Sequence, residues 1–531
     1  MVTRKGIAAT LFMMTLIGTN TRAQAPEDTR WGDLGDGTFA NPVLFTDYSD
    51  PDVIRVGNKY YMTGSEFHYM GMQILESDDM VNWRIIGQVY DKIDQEMFRD
   101  MKGYGNGTWA PSLRYHDGRF YIYVCMPTTG LYMTSSEKPE GPWEPLYHVK
   151  DINGWEDPCP LWDENGNAYL GRGRVGAGAI IVHRMSPDGK TLLDDGRVVY
   201  EGPVAEGTKF HLRDGYYYLS IPEGGVGSGW QMVLRSKDIY GPYEGKRVLE
   251  TGSTNVNGPH QGALVDTPEG EWWFYHFQDR VPQGRVVHLQ PVSWPKGDFP
   301  TIGKDYDGNG IGEPMKIVNK PNTGKKGKPS HPQTDDKFQG GKLGLQWQVN
   351  HNPIPGCISV TDRKGMLAIK ATKADQISNA HNTLTQKTMG YKGMATVMVD
   401  YSDIHFGQRM GMACLGSNMV GVGVEKVNEN GKEVVRLYFE KNGDFHTVQV
   451  LDTQKQRIWF RLKIDGIHNK HQFSYSTDGK RFNPVGQEFE EYNSGWKGSR
   501  IGLYSYSSEE KSGTAYFDNF EYKVDGPGKL K

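Results

Sequence analysis

A chain of 531 residues exceeds what one hydrophobic core organises, so two domains are expected. Its 67 Gly and 12% aromatic residues suit a turn-rich β protein with stacking surfaces. A net charge of −4 without a basic stripe excludes a nucleic-acid binder, and a mean hydropathy of −0.62 describes a soluble chain with no membrane anchor.

The N-terminus reads Met1-Val2-Thr3-Arg4-Lys5, then an apolar run from Ile7 to Ile17, then Ala23-Gln24-Ala25. A basic start, a short apolar stretch and an Ala-x-Ala end predict a secretory signal peptide over residues 1–25. Its apolar part is too short for a lasting span, and no Cys follows it to carry a lipid. The protein is therefore expected to be exported, to a periplasm or the extracellular medium. Cys125, Cys159, Cys357 and Cys414 show no metal spacing and read as buried free thiols, with one bridge as the alternative.

Residues 26–300 hold a repeated unit. Asp50-Pro51-Asp52 leads through Val53-Ile54-Arg55 to a turn at Gly57-Asn58 and a return strand at Tyr60-Tyr61. Similar units open at Trp109, Asp157, Glu206 and His260, with turns at Asp117, Asn165, Asp214 and Glu269. The opening residue precedes its turn by 8 residues in four units and by 9 in the last, and the units recur about every 50 residues. The pair Gly141-Pro142-Trp143-Glu144 and Gly241-Pro242-Tyr243-Glu244 repeats independently. Five such units predict an all-β, five-bladed β-propeller whose first strands line a central channel.

Residues 301–334 are rich in Gly, Pro and Lys and read as a linker or crossing loop. Within them, Asp305-Tyr306-Asp307-Gly308-Asn309-Gly310 resembles the start of a calcium loop. Its twelfth position is Lys316 and no helices flank it, so a solvated acidic turn is the better reading. Residues 335–531 carry alternating runs such as Ile458-Trp459-Phe460-Arg461-Leu462 and predict a lectin-like β-sandwich.

If the five opening residues are equivalent, they form a ring: Asp50, Trp109, Asp157, Glu206 and His260. Glycoside hydrolysis needs one carboxyl group to protonate the leaving oxygen and another, ionised, to activate water or attack carbon. A third nearby carboxylate raises the acid's pKa. Asp50, Asp157 and Glu206 offer that trio, Trp109 a stacking face, and Arg285 a partner for the base or a sugar hydroxyl. A single carboxylate at a strand start more often caps a turn; three at one register weaken that reading. His260 either hydrogen-bonds its neighbours in a narrow channel or ligates a hydrated cation.

Asn41-Pro42, Ser49-Asp50-Pro51-Asp52, Phe67, Trp109-Ala110-Pro111, Asp157-Pro158, Ala205-Glu206-Gly207 and the strands of His260 and Arg285 together resemble glycoside hydrolase family 43. The resemblance implies an inverting mechanism, with Asp50 as general base, Glu206 as general acid and Asp157 tuning the acid. It implies substrate contacts at Phe67, Trp109 and Arg285, and calcium or a similar ion beside His260. Gln346-Trp347-Gln348 and Phe517-Asp518-Asn519-Phe520 resemble the concanavalin-like sandwich of the xylosidase and arabinofuranosidase members, which lends a loop to the active-site mouth. The expected activity is exo-acting release of terminal pentose, α-L-arabinofuranosyl ahead of β-D-xylosyl, from plant polysaccharides or oligosaccharides. A non-catalytic carbohydrate-binding propeller is the alternative. Glu156, and Thr208-Lys209, depart from the family pattern at positions expected beside the substrate.

Overall fold

Asp117-Gly118 and Asp214-Gly215 take positive φ at both positions (45° and 78°, 53° and 69°), the turn that closes a twisted two-residue hairpin. Such hairpins build the N-terminal part of the protein. The structure, a computed structural model, describes residues 28–527 except 177, 453–454 and 511. The segment expected to be a signal peptide lies outside them.

Each repeat forms one antiparallel sheet, four-stranded in the first four repeats and five-stranded in the last. Blade I runs Ser49–Val56, Lys59–Ser65, Gln73–Ser77 and Arg84–Gln88. Blade II opens with Trp109–His116, blade III with Trp155–Trp162, blade IV with Lys209–Arg213 and blade V with His260–Asp266. Aromatic and β-branched side chains on the blade faces fill the seams. Tyr61 of blade I meets Phe120 of blade II edge-on at 5.3 Å. Val53, Tyr60 and Leu75 of blade I share a buried cluster with Val265, Trp273 and Tyr275 of blade V, so the last blade packs on the first. Leu44–Asp47, ahead of blade I, also pairs with the third strand of blade V, Gly284–Ser293.

The region expected to be a linker is tied to this body. Ile317–Asn319 pairs with Thr38–Ala40, and Gln333 bonds both backbone groups of Ile85. The acidic turn closes on itself: the Asp305 carboxylate accepts the N–H groups of Gly308 and Gly310.

The C-terminal part is two facing sheets, antiparallel but for the short parallel pairing of Thr372–Lys373 with Arg500–Ser507, over one large apolar core that includes Val397, Met412, Phe460 and Leu503. One sheet takes in Tyr69–Met70 from blade I, paired with Gln348–Asn350. Buried ions cross the same seam. Lys497 meets Asp47 at 2.8 Å, and Lys387 and Arg500 meet Glu66 at 2.6 and 2.9 Å. Cys125, Cys159 and Cys414 are buried free thiols, whereas Cys357 is half-buried.

Candidate active site

The blade openings share a backbone device. Asp50, Ala110, Asp157, Gly207 and Gln261 all take left-handed φ, between 34° and 62°. The ladder slips beside this residue in blades I, II, III and V. Such bulges re-aim the side chain next to them, and left-handed Asp costs about 1 kcal/mol or more that the surroundings must offset.

This device corrects the expected register. Asp50 and Asp157 are equivalent to Ala110, Gly207 and Gln261. Trp109, Glu206 and His260 stand one residue earlier, level with Ser49 and Glu156. Counting from the turns hid the offset, because Asn58 is the second residue of its turn while Asp117 and Asp214 are the first of theirs. Arg285 stands second in the third strand of blade V, Gly284–Ser293.

Asp50, Trp109, Asp157 and Glu206 nevertheless line one cavity of about 400 Å³, together with Phe67 and Arg285. Both oxygens of Asp50 accept hydrogen bonds, from Ser65 Oγ at 2.5 Å and Arg285 Nη1 at 2.8 Å. The Ser65 hydroxyl also accepts the Ala110 N–H at 2.6 Å, which ties blade II to Asp50. Asp157 accepts the Gly207 N–H at 2.6 Å and Gln261 Nε2 at 3.3 Å, so it grips the residue following Glu206. The rings of Phe67 and Trp109 lie 5.9 Å apart and tilted, forming an apolar wall.

Burial first, then the negative charges of Asp157 and Asp50, push Glu206 up to about 8. Burial and Asp50 also push Asp157 upward. Glu206 is thus protonated at neutral pH, while the contacts of Asp50 satisfy a carboxylate.

His260 is fully buried and does not line this cavity. Its Nδ1 bonds the Gly258 carbonyl at 2.5 Å, which assigns the proton to Nδ1. Its Nε2 has no hydrogen-bond partner among the described residues, and burial lowers the ring's pKa to about 4. A neutral imidazole with a free lone pair fits a ligand to a cation or to water. No cluster of three or more His, Cys, Asp or Glu that could hold a metal forms among the described residues.

Two contributors, Trp496 and Gln261, lie outside the expected set, while Glu156, expected beside the substrate, does line the cavity. Trp496, on a loop of the sandwich, lines the mouth and stacks over Arg285 at 5.6 Å. Its one sequence signal is a Trp bracketed by Gly495 and Gly498, as at a loop tip. Glu156 is a fourth acid in the cavity. Gln261 follows His260 and occupies the position that Asp50 holds in blade I. The departure at Lys209 does not touch the cavity: its ammonium is buried against Pro111 O and Ser112 Oγ, at 2.9 and 2.8 Å. A larger hollow of about 700 Å³, at the seam of blades II and III, contains none of the ring acids.

The family model described as glycosyl hydrolases family 43 matches residues 39–300, and that of the β-xylosidase C-terminal concanavalin A-like domain matches residues 335–523. A Xylanibacter ruminicola protein whose name places it among the β-xylosidases is 52% identical over 477 residues, covering 90% of this chain and 88% of its own. The chain belongs to glycoside hydrolase family 43. This family 43 enzyme is also 36% identical over 554 residues to a β-xylosidase of Formosa agariphila, with coverage of 94% and 92%. Among solved structures, it resembles an engineered family 43 hydrolase described as both endo-xylanase and exo-arabinofuranosidase (TM-score 0.81, 25% identity, coverage 92% and 99%). A bifunctional Bacteroides eggerthii protein gives the same TM-score of 0.81 at 28% identity; the match covers 94% of this chain but only 64% of that one. The protein is therefore a glycoside hydrolase with a propeller and a concanavalin-like domain, not a binding module.

Proposed function

We propose an inverting exo-glycosidase that releases a terminal pentose from plant polysaccharides or oligosaccharides. Asp50 is its general base, Glu206 its general acid, and Asp157 the residue that holds and tunes that acid. One observation carries the reading. A single small cavity holds one acid whose two oxygens are clamped by Arg285 and Ser65, and another whose pKa burial and like charge raise to about 8. That asymmetry divides the work of glycosidic cleavage. Glu206 gives its proton to the leaving oxygen while Asp50 takes one from the water attacking the opposite face. Inversion sets the gap between the two at roughly 6.5–9.5 Å to house that water.

Trp496 narrows the mouth, which favours a chain end over an internal bond. The names of the two sequence relatives favour β-D-xylosyl, and the solved neighbour keeps α-L-arabinofuranosyl as the second candidate. His260 Nε2 would hold a hydrated calcium or similar cation, which when bound supplies positive charge near Asp50. Export to a periplasm or the medium agrees with a polymeric substrate.

Nitrophenyl β-D-xyloside and α-L-arabinofuranoside decide the sugar, and early NMR of the released pentose decides the stereochemistry. Turnover of at least one with inversion is expected. Glu206→Gln should lose about 10²–10⁴ in kcat on xylobiose, and less on the aryl glycoside, whose leaving group needs no proton. Retention, or full activity in Glu206→Gln, would refute the assignment. Chelator treatment that changes neither activity nor melting temperature would remove the cation.

A further inference from the structure

We propose that Glu156 hydrogen-bonds a ring hydroxyl of the terminal pentose and thereby helps select the sugar; the inference rests on the pentosidase reading above. Glu156 precedes the left-handed Asp157, which places it level with Trp109 and Glu206, and all three line the cavity. The left-handed residue that follows the acid and the stacking ring also follows this side chain and aims it the same way.

Its surroundings are unlike those of the other floor residues. Asp50 and Asp157 each accept two hydrogen bonds from the protein. The Glu156 carboxyl has no hydrogen bond or ion pair among the described residues, although the residue is only 6% exposed. The residue is buried but its carboxyl oxygens open into the cavity, so the cavity's occupant is the group that meets them. Space is arranged for it as well. Across the ladder stands Gly173, where an added Cβ would come within 3.1 Å of Glu156 Cγ. Any other residue there would press on the acid.

Depth decides which sugar it meets. Val175, Val204 and Trp496 at the cavity edge are 44%, 47% and 53% exposed. The leaving group lies among them, while Glu156 sits on the floor with Asp50, Asp157 and Arg285, where the terminal sugar must lie. Burial, then Asp157, Glu206 and Asp50, raise its pKa to about 9. It is then a neutral acid that both donates and accepts, which suits a hydroxyl. A site built to bond a hydroxyl discriminates strongly against a sugar lacking it.

The test compares wild type, Glu156→Ala and the near-isosteric Glu156→Gln on nitrophenyl β-D-xyloside and its 2-, 3- and 4-deoxy analogues. Circular dichroism and melting temperature control for folding. Glu156→Ala is expected to lower kcat/KM about 10- to 100-fold on the parent and less than about threefold on the one analogue lacking the bonded hydroxyl. Glu156→Gln, which keeps a donor and an acceptor, should lose less than Glu156→Ala on the parent. An equal loss on the parent and all three analogues would overturn the proposal and leave Glu156 a purely electrostatic or packing role. Wild-type enzyme that turns over no pentoside would overturn both this proposal and the reading it rests on.

Discussion

Replacing Lys497 with Met tests the seam that joins the two domains to the site. The Lys497 ammonium is 1% exposed and bonds Asp47 at 2.8 Å and the Ser65 carbonyl at 2.9 Å. Burial alone would raise the pKa of Asp47. The ammonium groups of Lys497 and Lys387 outweigh it and hold the carboxyl down at about 2, against an ordinary 3.8. That difference corresponds to roughly 2–3 kcal/mol of stability, fully present above pH 4 and lost as pH falls through about 2. With Met at 497, the Asp47 side chain keeps only neutral donors, the N–H groups of Arg285 and Gly498 and the Ser49 hydroxyl. Breaking a buried pair from one side typically costs about 3–5 kcal/mol. The structure-based figure and this range meet near about 3 kcal/mol for Lys497→Met at pH 7. Urea unfolding followed by Trp fluorescence measures it. Lys497→Met with Asp47→Asn should recover more than half the loss, because no buried charge is then unpaired, and should flatten the pH dependence below 4. A loss under about 1 kcal/mol, or a double variant no better than the single one, would refute the reasoning.

Further predictions concern the cavity. In Asp157→Asn the alkaline limb of kcat should move to lower pH, because Glu206 works protonated and loses one of the charges that lift it to about 8; the pH–rate profile checks this. Trp496→Ala should raise KM about tenfold, the equivalent of about 1.4 kcal/mol of ring contact, with a smaller change in kcat. Ser65→Ala removes a donor to Asp50 and orphans the Ala110 N–H. It should lower kcat about tenfold and stability by about 1–2 kcal/mol, read from kinetics and urea unfolding together.

The sequence by itself determined the blades and most of the cavity. Hairpin turns such as Asp117-Gly118 and alternating aromatics are local signals, and their recurrence about every 50 residues is enough to count five sheets and to bring Asp50, Trp109, Asp157 and Glu206 to one axis. Register within that ring was beyond it. Turn length and bulge position vary from blade to blade, and a bulge is fixed by pairing with a neighbouring strand rather than by its own residues. The partners of the site were equally hidden. Trp496 reaches the mouth, and Lys497 the Asp47 carboxylate, from more than 400 residues away in sequence, through a sandwich docked by a buried ion network that no local pattern announces. Glu156 was visible as a residue, but its place on the cavity floor without a protein partner depends on the packed surroundings, and only the tertiary structure supplies those.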